Sequence, residues 1–316
     1  MNWRLKCVAF QILDYLPGGG TLYRLAQKYV TRNHLFDVTD AYLRIHQFHV
    51  EQYRRVHPGR ALEFGGGRHF LSPLLLSNAG AVEVLVYDIQ RLTSPQQINH
   101  TIRQLRGRIA GDWPEIKDWE ELRRLYRIRY VAPGDARKTG LDVASVNFFC
   151  TTSTLEHIPS KDIRLIMEEC ARVAAAGAIF SHVVDYADHY HYGDPSISLL
   201  NFYRYSARRW RWFNPSNHFQ NRLRHGDFEK MFLELQMDAV ETKTGQVGAE
   251  MMALIPLDAE FKRYTSEDLL TTIGYFVLRR PYTPTARSSS RLGDSKGQDH
   301  LRQTPVNLNQ WKTLDE

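Results

Sequence analysis

Cysteine is scarce in this 316-residue chain: Cys7, Cys150 and Cys170 are the only three, and no two stand in a CxxC pair. Neither a disulfide framework nor a cysteine-based zinc site fits that spacing, and a reducing, cytoplasmic setting is the expectation. Long apolar runs are missing too. No segment approaches the roughly 20 apolar residues of a membrane span. The opening "MNWRLKCVAFQILDYLPGGG" is interrupted by Gln11 and Asp14 and has no small-residue cleavage site, which argues against a signal peptide. A strong charge bias is absent as well. The net charge is +6 with 24% charged residues, a mild excess that does not by itself imply nucleic acid. No internal repeat is present.

What remains is an ordinary globular composition, 43% hydrophobic. Residues 3–16 and about 21–54 read as helices separated by "PGGG", an N-terminal helical cap (1–56) to which no chemistry attaches. Beyond it the period changes. Short apolar strands at 60–64, 82–88, 128–135, 144–150 and 177–185 alternate with helical stretches at 68–80, 96–126 and 160–174, the last with Ser160 as N-cap. Helix 226–236 and strands 239–245 and 272–280 complete the series. Strands alternating with helices predict an α/β fold, a doubly wound, mostly parallel sheet covered on both faces. This domain is placed at 57–281, with a lid or substrate insertion at 185–225. The polar tail, 282–316, is expected to be disordered.

The chemistry concentrates at "ALEFGGGRHF" (61–70). A strand, a glycine turn and a helix start form a place where a ligand meets backbone N–H groups. Asp88 ends the next strand, 21 residues after Gly67, where a carboxylate can accept from a ribose diol. The dinucleotide fingerprint G-x-G-x-x-G is not met, because Phe70 takes the third glycine position. NAD(P) is therefore the lesser reading.

With those residues stated, a family resemblance emerges. "LEFGGGR" resembles the first motif of class I S-adenosylmethionine-dependent methyltransferases, "VYDI" the second, "APGDAR" the third, and "SVNFFCTTSTLEHIP" the fourth-strand motif. Four motifs in order cover roughly 58–185, and strand 272–280 matches the family's antiparallel last strand. The resemblance implies a Rossmann-like seven-stranded sheet with S-adenosyl-L-methionine as cofactor. It also implies roles. Gly65, Gly66 and Gly67 would wrap the methionine part, with Glu63 facing its ammonium. Asp88 would bind the ribose and Ile89 pack on adenine. Asp135 and Ala136 would frame the adenine edge, and Thr151 and Thr152 would line the cofactor. One position departs: Asn147 stands where the family has an acid, which weakens any acid or metal role there.

The acceptor side is less defined. "SHVVDYADHYHYGD" (181–194) follows the fifth strand, and ligands of such sheets bind beyond the carboxyl ends of the strands. Asp185 and His189 are the candidates to orient an acceptor or take its proton. His157 of "LEHIP" is a third catalytic candidate, with a structural or cofactor-pocket role favoured. His and Asp recur here, but no established metal spacing is matched, so no metal is assigned. The aromatic and arginine-rich 199–224 would cover the pocket mouth, with Asn201, Arg204 and Tyr205 as candidate acceptor contacts; the alternative is a packed lid that buries its aromatics. The leading expectation is methyl transfer, most readily to oxygen, on a small-molecule or glycan-type acceptor. A nucleic-acid methyltransferase using "RRWRW", a non-catalytic protein that keeps the fold, and an NAD-dependent oxidoreductase stand as alternatives.

Overall fold

The computed structural model describes residues 2–17, 35 and 37–279. The expected disordered tail and part of the helix expected at about 21–54 lie outside them. Helix α1 spans Trp3–Tyr15 and α2 Asp40–Tyr53. The strands are β1 (Arg60–Phe64), β2 (Glu83–Tyr87), β3 (Ile128–Val131), β4 (Val146–Thr152), β5 (Ala174–Asp185), β6 (Asp238–Gln246) and β7 (Thr271–Arg279). Between them run α3 (Leu71–Asn78), α4 (Pro95–Leu105), α5 (Trp119–Tyr126), α6 (Ser160–Val173) and α7 (His225–Glu234). The seven strands form one sheet in the order β3-β2-β1-β4-β5-β7-β6. β7 runs antiparallel to both neighbours, and every other pairing is parallel. This is the Rossmann-like, doubly wound architecture that the alternation of strands and helices predicts.

The apolar strands explain the two-sided burial. Side chains alternate across a strand, so Ala61, Val84, Val86, Phe148 and Cys150 enter one core with Leu43, Phe48 and Tyr53 of α2 and the leucines of α3. Leu62, Phe64, Leu85, Phe149 and Phe180 enter the other, with Ile163, Met167 and Cys170 of α6 and Phe228 and Phe232 of α7. The cap helix α2 thus belongs to the layer on one face of the sheet. Its His49 reaches Ser181 on β5, and its Phe48 lies edge-on to Tyr275 of β7 at 5.1 Å.

A third apolar cluster joins Trp3 and Cys7 of α1 to Tyr190, Phe202, Tyr203, Trp210 and Phe261. The aromatic insertion is therefore largely a packed lid. Arg224 serves that packing: it is fully buried, donates to the carbonyls of Tyr186, Asp268 and Thr271, and lies over the Tyr186 and Tyr203 rings. Two local details differ from the sequence reading. Ser160 is the first residue of α6 rather than its N-cap; Pro159 holds that place, and no side-chain cap forms. Helix α3 starts only at Leu71, because Phe70 sits in the left-handed region with φ +54°.

Candidate functional site

The sheet reverses direction of strand addition at β1 and β4, and a cavity of about 1090 Å³ opens beyond their carboxyl ends. Loops from four successive strands build it: Gly65–Gly67 after β1, Asp88 and Ile89 after β2, Gly134–Ala136 after β3 and Thr152–Thr154 around the end of β4.

The glycine turn has steric reasons. Gly65 has φ +77°, and a Cβ there would fall 2.3 Å from the Thr154 methyl. Gly67 has φ +63° and open space where its Cβ would be, so the backbone presents itself bare to the cavity. Phe70, at the position a dinucleotide turn gives to glycine, takes the positive φ itself. It is fully buried against Tyr130, with ring centroids 4.8 Å apart. The Tyr130 hydroxyl in turn bonds to Asp88.

Two carboxylates sit beside this turn. Glu63 is 2% exposed and Asp88 4%. Burial pushes the Glu63 carboxyl well above its usual range, the nearby Asp88 charge adds to that, and Ser72 opposes it by hydrogen bonding. Burial likewise raises Asp88 to about 7, against hydrogen bonds from Tyr130 and the Gly67 and Gly66 amides. Glu63 Oε2 and Asp88 Oδ2 are each buried without a partner. Such atoms cost free energy until a donor arrives. A ligand that brings hydrogen-bond donors to both would relieve that cost.

Ile89, 78% exposed at the cavity rim, offers an apolar surface to a flat group. Ala136 and Asp135 line the same side. The Asp135 carboxylate is held by Arg137, which also donates to Asp162 at 2.9 Å, and this pairing keeps it below its usual range. Thr152 lines the cavity, and its Oγ1 lies 3.0 Å from His49 Nε2. Thr151 points to the opposite face of β4, where its Oγ1 meets His182 Nδ1 at 2.9 Å. It is therefore not at the cavity wall.

Helix α2, to which the sequence attached no chemistry, contributes Tyr42 and His46 to the cavity. His46 Nδ1 lies 2.5 Å from Ser72 Oγ, and Ser72 continues to Thr152 at 3.4 Å. The signal was present in the sequence: His46 and His49 lie one turn apart on the buried face of α2.

The acceptor-side candidates divide. His157 lines the cavity, with Nδ1 2.8 Å from the Phe219 carbonyl. A carbonyl only accepts, so Nδ1 carries the proton and Nε2 the lone pair. His157 is open to the cavity, but the groups packed around its ring disfavour the charged form and, with repulsion from His189, lower it to about 4. Behind it, His189 stacks edge-on at 4.8 Å. Its Nε2 lies 3.3 Å from Asp185 Oδ2 and 4.0 Å from Glu156 Oε1. Burial opposes the charged ring, but the Asp185 and Glu156 carboxylates prevail and raise its pKa. Burial also works against the Asp185 charge, yet bonds from His189 and Tyr192 hold it low; Tyr192 donates at 2.6 Å. Asp185 and His189 thus face each other one layer back from the cavity wall. Sequence reasoning passed over Glu156 and Tyr192, which complete this cluster. Ligand atoms of Glu156, His157 and His189 lie within 4.8 Å of one another, an arrangement able to hold a cation.

Asn201, Arg204 and Tyr205 are not among the residues lining the cavity. Asn201 is buried and donates to Asp188 Oδ2 at 2.9 Å. Arg204 donates to the Leu254 carbonyl, and Tyr205 packs on Trp3, Trp210 and Phe213.

No protein-family model matches the chain, and a search of curated protein sequences finds no match. Solved structures of similar shape do exist. Geranyl diphosphate methyltransferase in complex with SAM is 13% identical with a TM-score of 0.46, over 76% of this chain and 85% of that one. An S-adenosylmethionine dependent methyltransferase from Mesorhizobium loti is 12% identical with a TM-score of 0.41, over 71% and 92% of the two chains. The cyclase SpnF is 12% identical with a TM-score of 0.46, over 77% and 82%.

Proposed function

We propose that this protein is an S-adenosylmethionine-dependent methyltransferase acting, at oxygen, on a small-molecule or glycan-type acceptor. The observation that carries the reading is the pair of buried, unpartnered carboxylate oxygens, Glu63 Oε2 and Asp88 Oδ2, beside the glycine turn at the switch point of the sheet. S-adenosylmethionine fits that donor demand, with an ammonium for Glu63 and a ribose diol for Asp88. Ile89 and Ala136 would hold the adenine between them, Asp135 would meet its amino group, and Gly65–Gly67 would follow the methionine backbone. When bound, the cofactor supplies an electrophilic methyl group on a sulfonium.

The rest is positioning and proton handling by the chain. His157, neutral and facing the same cavity, can receive the proton of an acceptor hydroxyl at Nε2. Behind it, Asp185 favours the charge that His157 gains and offsets part of the repulsion from His189; Glu156, whose carboxyl burial raises while His189 lowers it, sits beside the pair. The nucleic-acid alternative would rest on the exposed Arg208, Arg209, Arg211 and Trp212, since Phe202, Tyr203 and Trp210 are buried in the lid and closed to base stacking.

Calorimetric titration with S-adenosylmethionine and, separately, NADH tests the reading. Binding of the first and not the second is expected, with Asp88→Ala weakening it by roughly tenfold or more. An unchanged affinity in Asp88→Ala, or preference for the nicotinamide cofactor, would overturn it.

A further inference from the structure

Helix α1 buries Trp3, Cys7 and Phe10 against the lid. On the opposite side, Leu5, Val8, Ile12 and Tyr15 follow one another at helical spacing and are 65%, 55%, 55% and 84% exposed, with Leu16 beyond them at 45%. A helix packed on its own domain ordinarily turns charged residues to that side; this one turns an apolar stripe.

The stripe has neighbours of matching character. Cys7 Sγ and Gln11 Nε2 both donate to the Trp212 carbonyl, at 3.3 and 3.1 Å, which ties the 211–213 turn to the flank of α1. Its indole projects outward, 75% exposed. Arg208, Arg209 and Arg211 are exposed around it, and Arg4 is exposed on α1 itself. The acid of α1, Asp14, is occupied by Ser216 at 3.0 Å. Leu13, Asp14, Leu16 and Ser216–Phe219 line the cavity, so the patch runs up to its mouth.

From this juxtaposition we infer that α1 and the 207–213 turn form a surface that lies on an anionic lipid bilayer and receives the acceptor from it. An apolar helix face, an interfacial indole and clustered arginines are what such a surface recognises. Charge argues for lipid over a second copy of the chain, since a symmetric contact would set the same arginines against each other. No described helix is long and apolar enough to cross a membrane. The surface stands independently of the methyl-transfer reading; only the arrival of the acceptor from the bilayer rests on it.

The test is co-sedimentation of the full chain with phosphatidylcholine vesicles, with and without phosphatidylglycerol. Binding to the anionic vesicles alone, weakened by salt, is expected. It should fall by roughly tenfold or more in Leu5→Asp/Ile12→Asp, in Arg208→Glu/Arg209→Glu/Arg211→Glu, and by a smaller factor in Trp212→Ala. All three should keep wild-type affinity for S-adenosylmethionine, which separates a failed surface from a failed cofactor site. If the helix variant does not fold, the other two decide. Absence of wild-type binding, unchanged binding in the arginine variant, or a dimer that the helix variant dissociates without any vesicle binding would each overturn the proposal.

Discussion

The Thr154 hydroxyl is shared between the Thr152 carbonyl at 3.0 Å and the Gly65 carbonyl at 3.2 Å, and its methyl occupies the space a Gly65 Cβ would need. The turn after β1 and the loop after β4 are thereby fitted to each other across the cavity floor.

Gly65→Ala is expected to cost on the order of 2–4 kcal/mol, from a left-handed φ disfavoured in L-residues plus overpacking against Thr154. Urea denaturation measures it. Adding Thr154→Ser to Gly65→Ala removes the offending methyl and should recover part of the loss but not the part due to φ. Full recovery would show that backbone conformation is not what glycine supplies here.

Asp88 gives a pH dependence with a defined sign. Its pKa is raised to about 7 in the folded state by burial. The folded protein therefore holds a proton that the unfolded chain, with a value of about 3.9, has released. Ligand-free stability should decline as pH rises between those two values and level off above the higher one. Asp88→Asn should stabilise the ligand-free protein above neutrality by roughly 2–4 kcal/mol while weakening S-adenosylmethionine. Meanwhile wild-type cofactor affinity should rise as the pH passes through about 7. Thermal melts and calorimetry over the same pH series check both.

The buried histidines act in the opposite sense. Burial lowers His46 and His182 to about 3 and His49 well below the usual imidazole value. The unfolded chain binds protons at these positions below about 6.5 where the native state does not, so stability is intact at neutral pH and lost on acidification. His49→Gln should flatten that acid limb even though it lowers stability at neutral pH by about 1–3 kcal/mol, having to replace bonds to Ser181 and Thr152. An acid limb as steep as wild type would remove His49 from this account.

For the acceptor side, Asp185→Asn and His189→Ala should lower turnover by roughly 10²–10⁴-fold while leaving cofactor affinity near wild type, because neither lines the cavity. His157→Ala should lower turnover more than either. Equal effects of all three on cofactor binding would show a merely structural cluster. Normal turnover in Asp185→Asn and His189→Ala would remove both from the mechanism.

The sheet and the cofactor-facing turn could be read in the sequence because they rest on local regularities. Strand periodicity, the glycine run and Asp88 are encoded within a few residues, and a parallel sheet makes each strand end a predictable address. Thr151 and Thr152 show where that reading stops: both stand at the end of β4, but strand alternation sends one to His182 and the other to the cavity. Only the register of β4 and β5 decides which. His46 came from a helix that looked merely structural, and reaches Ser72 only because α2 packs on α3. Asn201, Arg204 and Tyr205 carried the right chemistry but are engaged elsewhere in the lid, Asn201 with Asp188, Arg204 with the Leu254 carbonyl and Tyr205 with Trp3, Trp210 and Phe213. Glu156 met His189, and α1 met Trp212, through contacts 33 and about 200 residues apart along the chain. Local sequence determines which segments become strands, turns and helices, since propensity and period act over short range; which polar groups share a cavity, and which apolar face stays uncovered, is decided by long-range packing that no short stretch contains.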